Sequence, residues 1–319
     1  MTFERNTLLA LLAAAALFPL MVRDPYLLHL GIMALVYVVL ASSLNLIVGY
    51  IGEFSLGHTA FLGVGAYTAA LLSSRAGLPL WATIPLAGVM AAVFGILIGA
   101  ITLRLQGPYF VIVTLAFAEV LRIVANNFVA LTNGPMGLAG ISQGGIADKR
   151  GFFYVVLAIA AVALYLCYRF VYSNTGRGAV AIRENRYVAQ SIGVDPFRSA
   201  LLAFVLGAFL AGLAGGFYAH YISFVGPEVF QFAFTVSMII MVLIGGKGTL
   251  IGPILGALIV TILEEYLRQA QELRLTLFGL IVILVVLFLP RGIASLAGAR
   301  HEQRASGVSR IVPAKEGVA

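Results

Sequence analysis

The stretch LLHLGIMALVYVVLASSLNLIVG, Leu27 to Gly49, contains no Lys, Arg, Asp or Glu. It exceeds the ~20 apolar residues a helix needs to cross a ~30 Å hydrocarbon layer, so it reads as a membrane span. Only Ser42, Ser43 and Asn45 break its apolar character near the end. Such residues inside a span either glue helices together or line a passage for a polar solute.

The rest of the chain has the same character. Of 319 residues 61% are hydrophobic and 10% charged, and the mean hydropathy is +1.03. A soluble domain of this size would need far more charge to cover its surface than 20 Lys and Arg with 13 Asp and Glu. Apolar runs recur at roughly 6–22, 27–49, 58–73, 80–103, 108–131, 152–172, 199–222, 231–246, 249–267 and 274–290. The expected fold is all-α: a polytopic transmembrane bundle of about ten helices over 1–295, followed by a basic tail at 296–319. Several runs fall short of a full span and lie beside glycine-rich stretches, so broken or re-entrant helices are expected there.

Arg5 followed by the apolar run Leu8 to Val22 has the outline of a signal peptide. No small-x-small cleavage site follows, and the run ends in Phe18, Pro19, Leu20 and Met21, so a retained first helix is expected. The excess of Lys and Arg falls at one set of helix ends: Arg5, Arg104, Arg169, Arg177, Arg183, Arg186, Arg198, Lys247, Arg291 and the tail. By the positive-inside rule this places both termini in the cytoplasm. The net charge of +7 is therefore a matter of topology and implies no nucleic-acid partner.

Two loops are long enough to do more than turn the chain. TNGPMGLAGISQGGIADKRG, Thr132 to Gly151, is glycine-rich and falls outside; it is either a docking surface or a flexible connector. SNTGRGAVAIRENRYVAQSIGVDPFR, Ser173 to Arg198, is the most basic interruption and falls inside. Between Gly178 and Gly193 it reads as one short helix with a polar centre and a glycine stop. That composition suits docking on another protein, against the alternative of an interfacial helix resting on lipid.

Signs of catalysis are missing. Gly246 and Lys247 hint at a phosphate loop, but that motif needs Gly where Met241 stands and Ser or Thr where Gly248 stands. No metal site is readable from the isolated His29, His58, His220 and His301, and Cys167 has no cysteine to pair with. Inside the fifth span Glu119 and Arg122 are three residues apart on one face, with Asn126 and Asn127 a turn further on. The pair either borders a solute path or is self-neutralised and locks neighbouring helices. A weak internal echo links GYIGEFSLGHTAFLG (49–63) with GGKGTLIGPILG (245–256), as a duplicated transporter half would, though chance spacing among 35 glycines is a rival explanation. Glycines in GVGAY (63–67) and LAGLAGG (210–216) suit close helix packing.

Five blocks, in order, resemble the branched-chain amino acid ABC importer permeases, in particular the longer of the two permease subunits. They are GYIGEFSLGHTAFLGVGAYTAALL (49–72), QGPYFVIVTLAFAEVLR (106–122), LTNGPMGLAGI (131–141), GRGAVAIRENRYVAQSIGVD (176–195) and IGGKGTLIGPILGA (244–257). The resemblance spans roughly Leu28 to Leu289. It implies a permease of the bacterial cytoplasmic (inner) membrane, working with a second related permease, two cytoplasmic ATPase subunits and an extracytoplasmic solute-binding protein. It also implies that 176–195 couples to an ATPase, which singles out Gly176, Arg177, Arg183, Glu184, Asn185, Arg186 and Gly193. Ser42, Asn45, Glu119, Arg122 and Asn126 are the candidates for the translocation path. The chain itself is expected to bind no cofactor, ATP and Mg belonging to the partners. Leucine, isoleucine and valine are the expected solutes; urea or short amides, and a stand-alone secondary transporter with Glu119 as its mid-membrane carboxylate, are the alternatives.

Overall fold

A computed structural model describes residues 2–267 except 147, together with 279, 283, 287, 292 and 293. Among these the helices are α1 (Thr2–Met21), α2 (Pro25–Asn45), α3 (His58–Ala76), α4 (Leu80–Thr102), α5 (Pro108–Asn127), α6 (Val129–Thr132), α7 (Lys149–Val171), α8 (Asn174–Glu184), α9 (Arg186–Ser191), α10 (Pro196–Ile222), α11 (Phe232–Gly245) and α12 (Gly252–Leu267). Every expected span up to 249–267 coincides with a helix. The span 274–290 lies outside the described residues but for Gly279, Ile283 and Leu287, and the tail 296–319 lies wholly outside them.

Local chemistry sets the helix starts. Asp24 Oδ1 accepts from Tyr26 N at 2.9 Å with Pro25 in the first turn. Asp195 Oδ1 accepts from Phe197 N and Arg198 N, with Pro196 next to it. Each cap satisfies amides that a helix start otherwise leaves open. Beyond Asn45 the chain continues through a π-helical turn, Leu46–Ile51, before Gly52 ends the rod.

Six of the helices are long and apolar enough to cross a membrane. The chain is an integral membrane protein with a helical bundle. Its centre is α2 with the π turn and α10, in whose most apolar stretches 83% and 72% of the residues are buried, against 22% in α5. α10 lies between α3 and α4, and α2 packs against α7, α11 and α12. The sequence's small residues sit at the crossings: a Cβ on Gly65 would lie 2.3 Å from Gly212 O, and one on Gly215 would lie 2.1 Å from Leu62 O. Without a hydrophobic drive between helices in lipid, such close approach is what holds them together.

Two connections enter the bundle instead of staying at its surface. α3 starts at His58, whose ring meets Ser43, eight residues before the end of the rod at Ile51. At ~1.5 Å per residue that is ~12 Å inside. From the opposite end, the 3₁₀ turn Pro227–Phe230 descends until Phe230 stacks on Tyr67 at 5.8 Å and its carbonyl accepts from Thr59 Oγ1 at 3.4 Å. α11, which follows, has only 14 residues.

Candidate functional site

The two intruding connections meet in a buried layer of polar side chains contributed by five segments. Ser43 Oγ donates to Leu40 O at 2.8 Å, so it must accept from His58 Nε2, 2.7 Å away. In a neutral ring Nδ1 is then a bare acceptor, and among the described residues neither it nor the hydroxyls of Ser42 and Ser55 finds a partner. Thr59 Oγ1 accepts from Thr235 Oγ1 at 3.1 Å, and Thr114 Oγ1 accepts from Leu56 N at 3.2 Å. Unpaired polar groups in a dry interior cost about 1–3 kcal/mol each, so they are retained only where something compensates. Ser43, His58, Thr59, Thr114 and Thr235 were not among the path candidates. For His58 and Thr59 the signal that could have found them is a helix start directly after the glycine-rich break at 49–57.

The path candidates from the sequence separate into three places. Ser42 lies buried beside this layer. Asn45 sits nearer the rod's end, with both ends of its amide engaged: Nδ2 donates to Thr249 O at 2.8 Å and Oδ1 accepts from Gly248 N at 2.9 Å. Glu119, Arg122 and Asn126 lie on α5, away from both. Arg122 Nε donates to both carboxylate oxygens of Glu119 at 3.0 and 2.9 Å, and the side chains of Arg122 and Glu119 are 40% and 49% exposed in the lone chain. Their neighbours Val120, Ile123 and Asn127 are exposed too. The corresponding open face of α4 carries Leu86, Val89, Met90, Val93, Ile96 and Leu97. The α4 face therefore suits lipid, and the α5 face carries charge at mid-span where lipid is a poor neighbour.

At the end of the bundle bearing 173–198, the single short helix expected between Gly178 and Gly193 is instead two, α8 and α9. Asn185 turns to an extended conformation (φ −160°, ψ 112°), and its Oδ1 accepts from Tyr187 N and Val188 N, capping α9. A side chain that satisfies two open amides outcompetes helix continuation. α8 begins with Ser173 Oγ accepting from Gly176 N at 3.1 Å, and Gly176, Gly178, Ala179 and Ile182 face the bundle. Gly193, with φ +83°, closes the segment. Arg177, Glu184 and Asn185 face solvent, and Arg186 is half-buried. Arg183 reaches back into the bundle, its Nη1 donating to Gly49 O at 2.7 Å. α9 buries Ala189 but exposes Tyr187 and Val188, 78% and 57% accessible, and Ile192 just beyond it is 70% accessible.

The opposite end carries 132–151, and this loop is tied down. β1 (Leu138–Ala139) pairs antiparallel with β2 (Phe224–Val225) just beyond α10. Gln143 Nε2 donates to Ser223 Oγ at 3.1 Å, and His220 Nδ1 lies 2.6 Å from Ser142 O. Among the described residues no group of three His, Cys, Asp or Glu is placed to hold a metal ion.

Long apolar helices, small-residue crossings, helices broken inside the bundle and a polar segment outside it are the features of a solute permease. Residues 26–287 match the family described as branched-chain amino acid transport system / permease component, and the chain belongs to that family. It is 33% identical to the high-affinity branched-chain amino acid transport system permease protein LivM of Escherichia coli K12, over 91% of this chain and 75% of that protein. LivH of the same organism, named as a permease protein of the same transport system, is 25% identical over 81% and 90%. The autoinducer 2 import system permease protein LsrC of Klebsiella pneumoniae is 34% identical over 57% of this chain and 54% of its own length. No solved structure matches the chain.

Proposed function

We propose that this chain imports branched-chain amino acids across the cytoplasmic membrane, as the longer permease of an ATP-driven transporter, with no catalytic step of its own. The observation that carries the reading is α8–α9. It is a polar, capped, double-helical segment outside the spanning helices, anchored on one side by Arg183 and presenting Tyr187, Val188 and Ile192 on the other. Exposed aromatic and aliphatic side chains among polar ones are typical of a protein-docking surface. An ATPase subunit is the partner proposed there, facing the cytoplasm, with ATP and Mg held by that subunit and its twin.

The charged stripe of α5 supports the remaining assignments. Glu119 and Arg122 face away from the described helices at mid-span, so a second permease covers them, and the solute crosses along this face. The receptor docks at the opposite end, on the loop held by β1 and β2. ATP binding draws the ATPases together, α8 and α9 move with them, and the bundle alternates between outward and inward openings. A stand-alone secondary transporter is disfavoured by membership of this family. Urea and short amides remain competitors to be tested.

The test is purification of the tagged chain with its neighbouring gene products in mild detergent, followed by uptake of labelled leucine, valine and urea into proteoliposomes containing receptor and ATP. Co-purified ATPases with leucine or valine uptake support the reading. Uptake by the lone chain, or uptake confined to urea, overturns it.

A further inference from the structure

The glycine break after α2 and the one between α11 and α12 are far apart in sequence, yet they touch: a Cβ on Gly49 would lie 2.4 Å from Gly248 N. Asn45 stitches them together, holding both Gly248 N and Thr249 O with one amide. Thr249 Oγ1 donates to Gly246 O at 2.8 Å and accepts from Gly252 N at 3.0 Å, so the loop is set as a unit on the start of α12.

Arg183 arrives at this junction from α8. Its Nη1 donates to Gly49 O, a carbonyl in the last turn of the rod where no further turn follows to use it. The same nitrogen would lie 2.5 Å from a Cβ on Gly248, which has φ +75°, and the Cγ 2.7 Å from one on Gly52. Glycine is thus required at 248 both for its backbone and to admit the guanidinium. The remaining nitrogens are steadied by Glu184, Nε at 3.2 Å and Nη2 at 2.8 Å from Oε1. The rest of α8 meets the bundle through Gly176, Gly178, Ala179 and Ile182. Small apolar surfaces can slide over one another, whereas a charge-assisted hydrogen bond to a main-chain carbonyl is directional. Arg183 is therefore a direct route by which force applied to α8 along the membrane plane reaches α2 and the α11–α12 hairpin, beside the packing of α8 on α7 and α10.

We propose that Arg183 is the pin by which displacement of the α8–α9 segment moves the spanning helices, and that Asn45 is the clip that makes α2 and the α11–α12 hairpin answer together. This rests on the docking reading above and adds a positioning role for two residues, one of which lies inside the bundle. Asn45 thereby leaves the solute path and joins the coupling machinery.

The experiment uses the full transporter in proteoliposomes with Arg183→Ala, Arg183→Gln, Arg183→Lys and Asn45→Ala, each checked for insertion and monodispersity. Co-purified ATPase, receptor-stimulated ATP hydrolysis and solute carried per ATP are measured side by side. The expected result is retained ATPase and hydrolysis with solute per ATP reduced about tenfold in Arg183→Ala, Arg183→Gln and Asn45→Ala. Arg183→Lys, which can still donate to Gly49 O, recovers part of it. An unchanged ratio in Arg183→Ala or Arg183→Gln with ATPase bound overturns the proposal. Loss of bound ATPase in Arg183→Ala with a normal ratio in Asn45→Ala also overturns it, making Arg183 a docking residue and leaving the docking reading intact. If the wild-type chain holds no ATPase, the docking reading fails first and the pin falls with it.

Discussion

Gly215→Ala adds one methyl group at the place where α10 is tightest. Its Cβ would stand 2.1 Å from Leu62 O and 2.9 Å from Ala66 N, both backbone atoms of α3 that no rotamer change can move. An ordinary contact is ~3.5 Å or more, so α10 would have to retreat by about an ångström. That retreat is blocked, because Cβ atoms on Gly212 and Gly216 would lie 2.4 and 2.9 Å from the methyls of Ala91 and Ala87 on α4. Overpacking costs about 1–3 kcal/mol, and a helix wedged from both sides belongs at the upper end. Replacing Gly by Ala returns up to ~1 kcal/mol of helix propensity. The net loss is about 2 kcal/mol, a factor of roughly 30 in the folded-to-unfolded ratio. Detergent-purified protein titrated with a denaturing detergent and followed by circular dichroism should show an earlier midpoint. Gly178→Ala is the control, because its Cβ would meet only side-chain atoms of Val194 and Ser199 at 3.2 and 3.3 Å, and it should unfold near wild type. A Gly215→Ala midpoint equal to or above wild type would refute the wedge between α3 and α4.

Four further outcomes are expected. Arg122→Ala should insert normally but lose uptake, since Glu119 would then face a hydrated path or a partner; failure to insert, with normal uptake by the Glu119→Ala/Arg122→Ala double variant, would show that the pair is only a lock between helices. Tyr187→Glu and Ile192→Glu should release the ATPase while leaving the bundle's denaturation midpoint in place, as read by co-purification and circular dichroism. Ser43→Ala removes the acceptor for His58 Nε2–H and should destabilise by about 1–3 kcal/mol, and adding His58→Leu should recover part of that. Asn185→Ala deletes the cap of α9 and should cost about 1 kcal/mol locally, seen as faster amide exchange at Tyr187 and Val188.

The membrane class and the helix positions were legible in single residues. Long uncharged runs can satisfy their backbone only within themselves, so a stretch such as Leu27–Gly49 has one outcome in lipid whatever surrounds it. The caps at Asp24, Ser173 and Asp195 are likewise local, as is the polarity of 173–198, which interrupts an apolar chain. Asn185 shows the limit of local reading: two helices and one continuous helix differ only in whether its side chain takes up two amides.

Contacts between distant segments were decided by the tertiary structure. Nothing in His58 names Ser43 as its partner, and nothing in Asn45 distinguishes lining a path from clipping Gly248 and Thr249 across the fold. The same holds for Arg183, which the sequence singles out only as one of seven coupling-segment residues until the glycine breaks at 49–52 and 246–248 meet beneath it. Hydrophobicity is a property of a segment, so the sequence carries it whole. A polar side chain's role depends on which backbone arrives opposite it, and in this bundle the packing of small residues settles that.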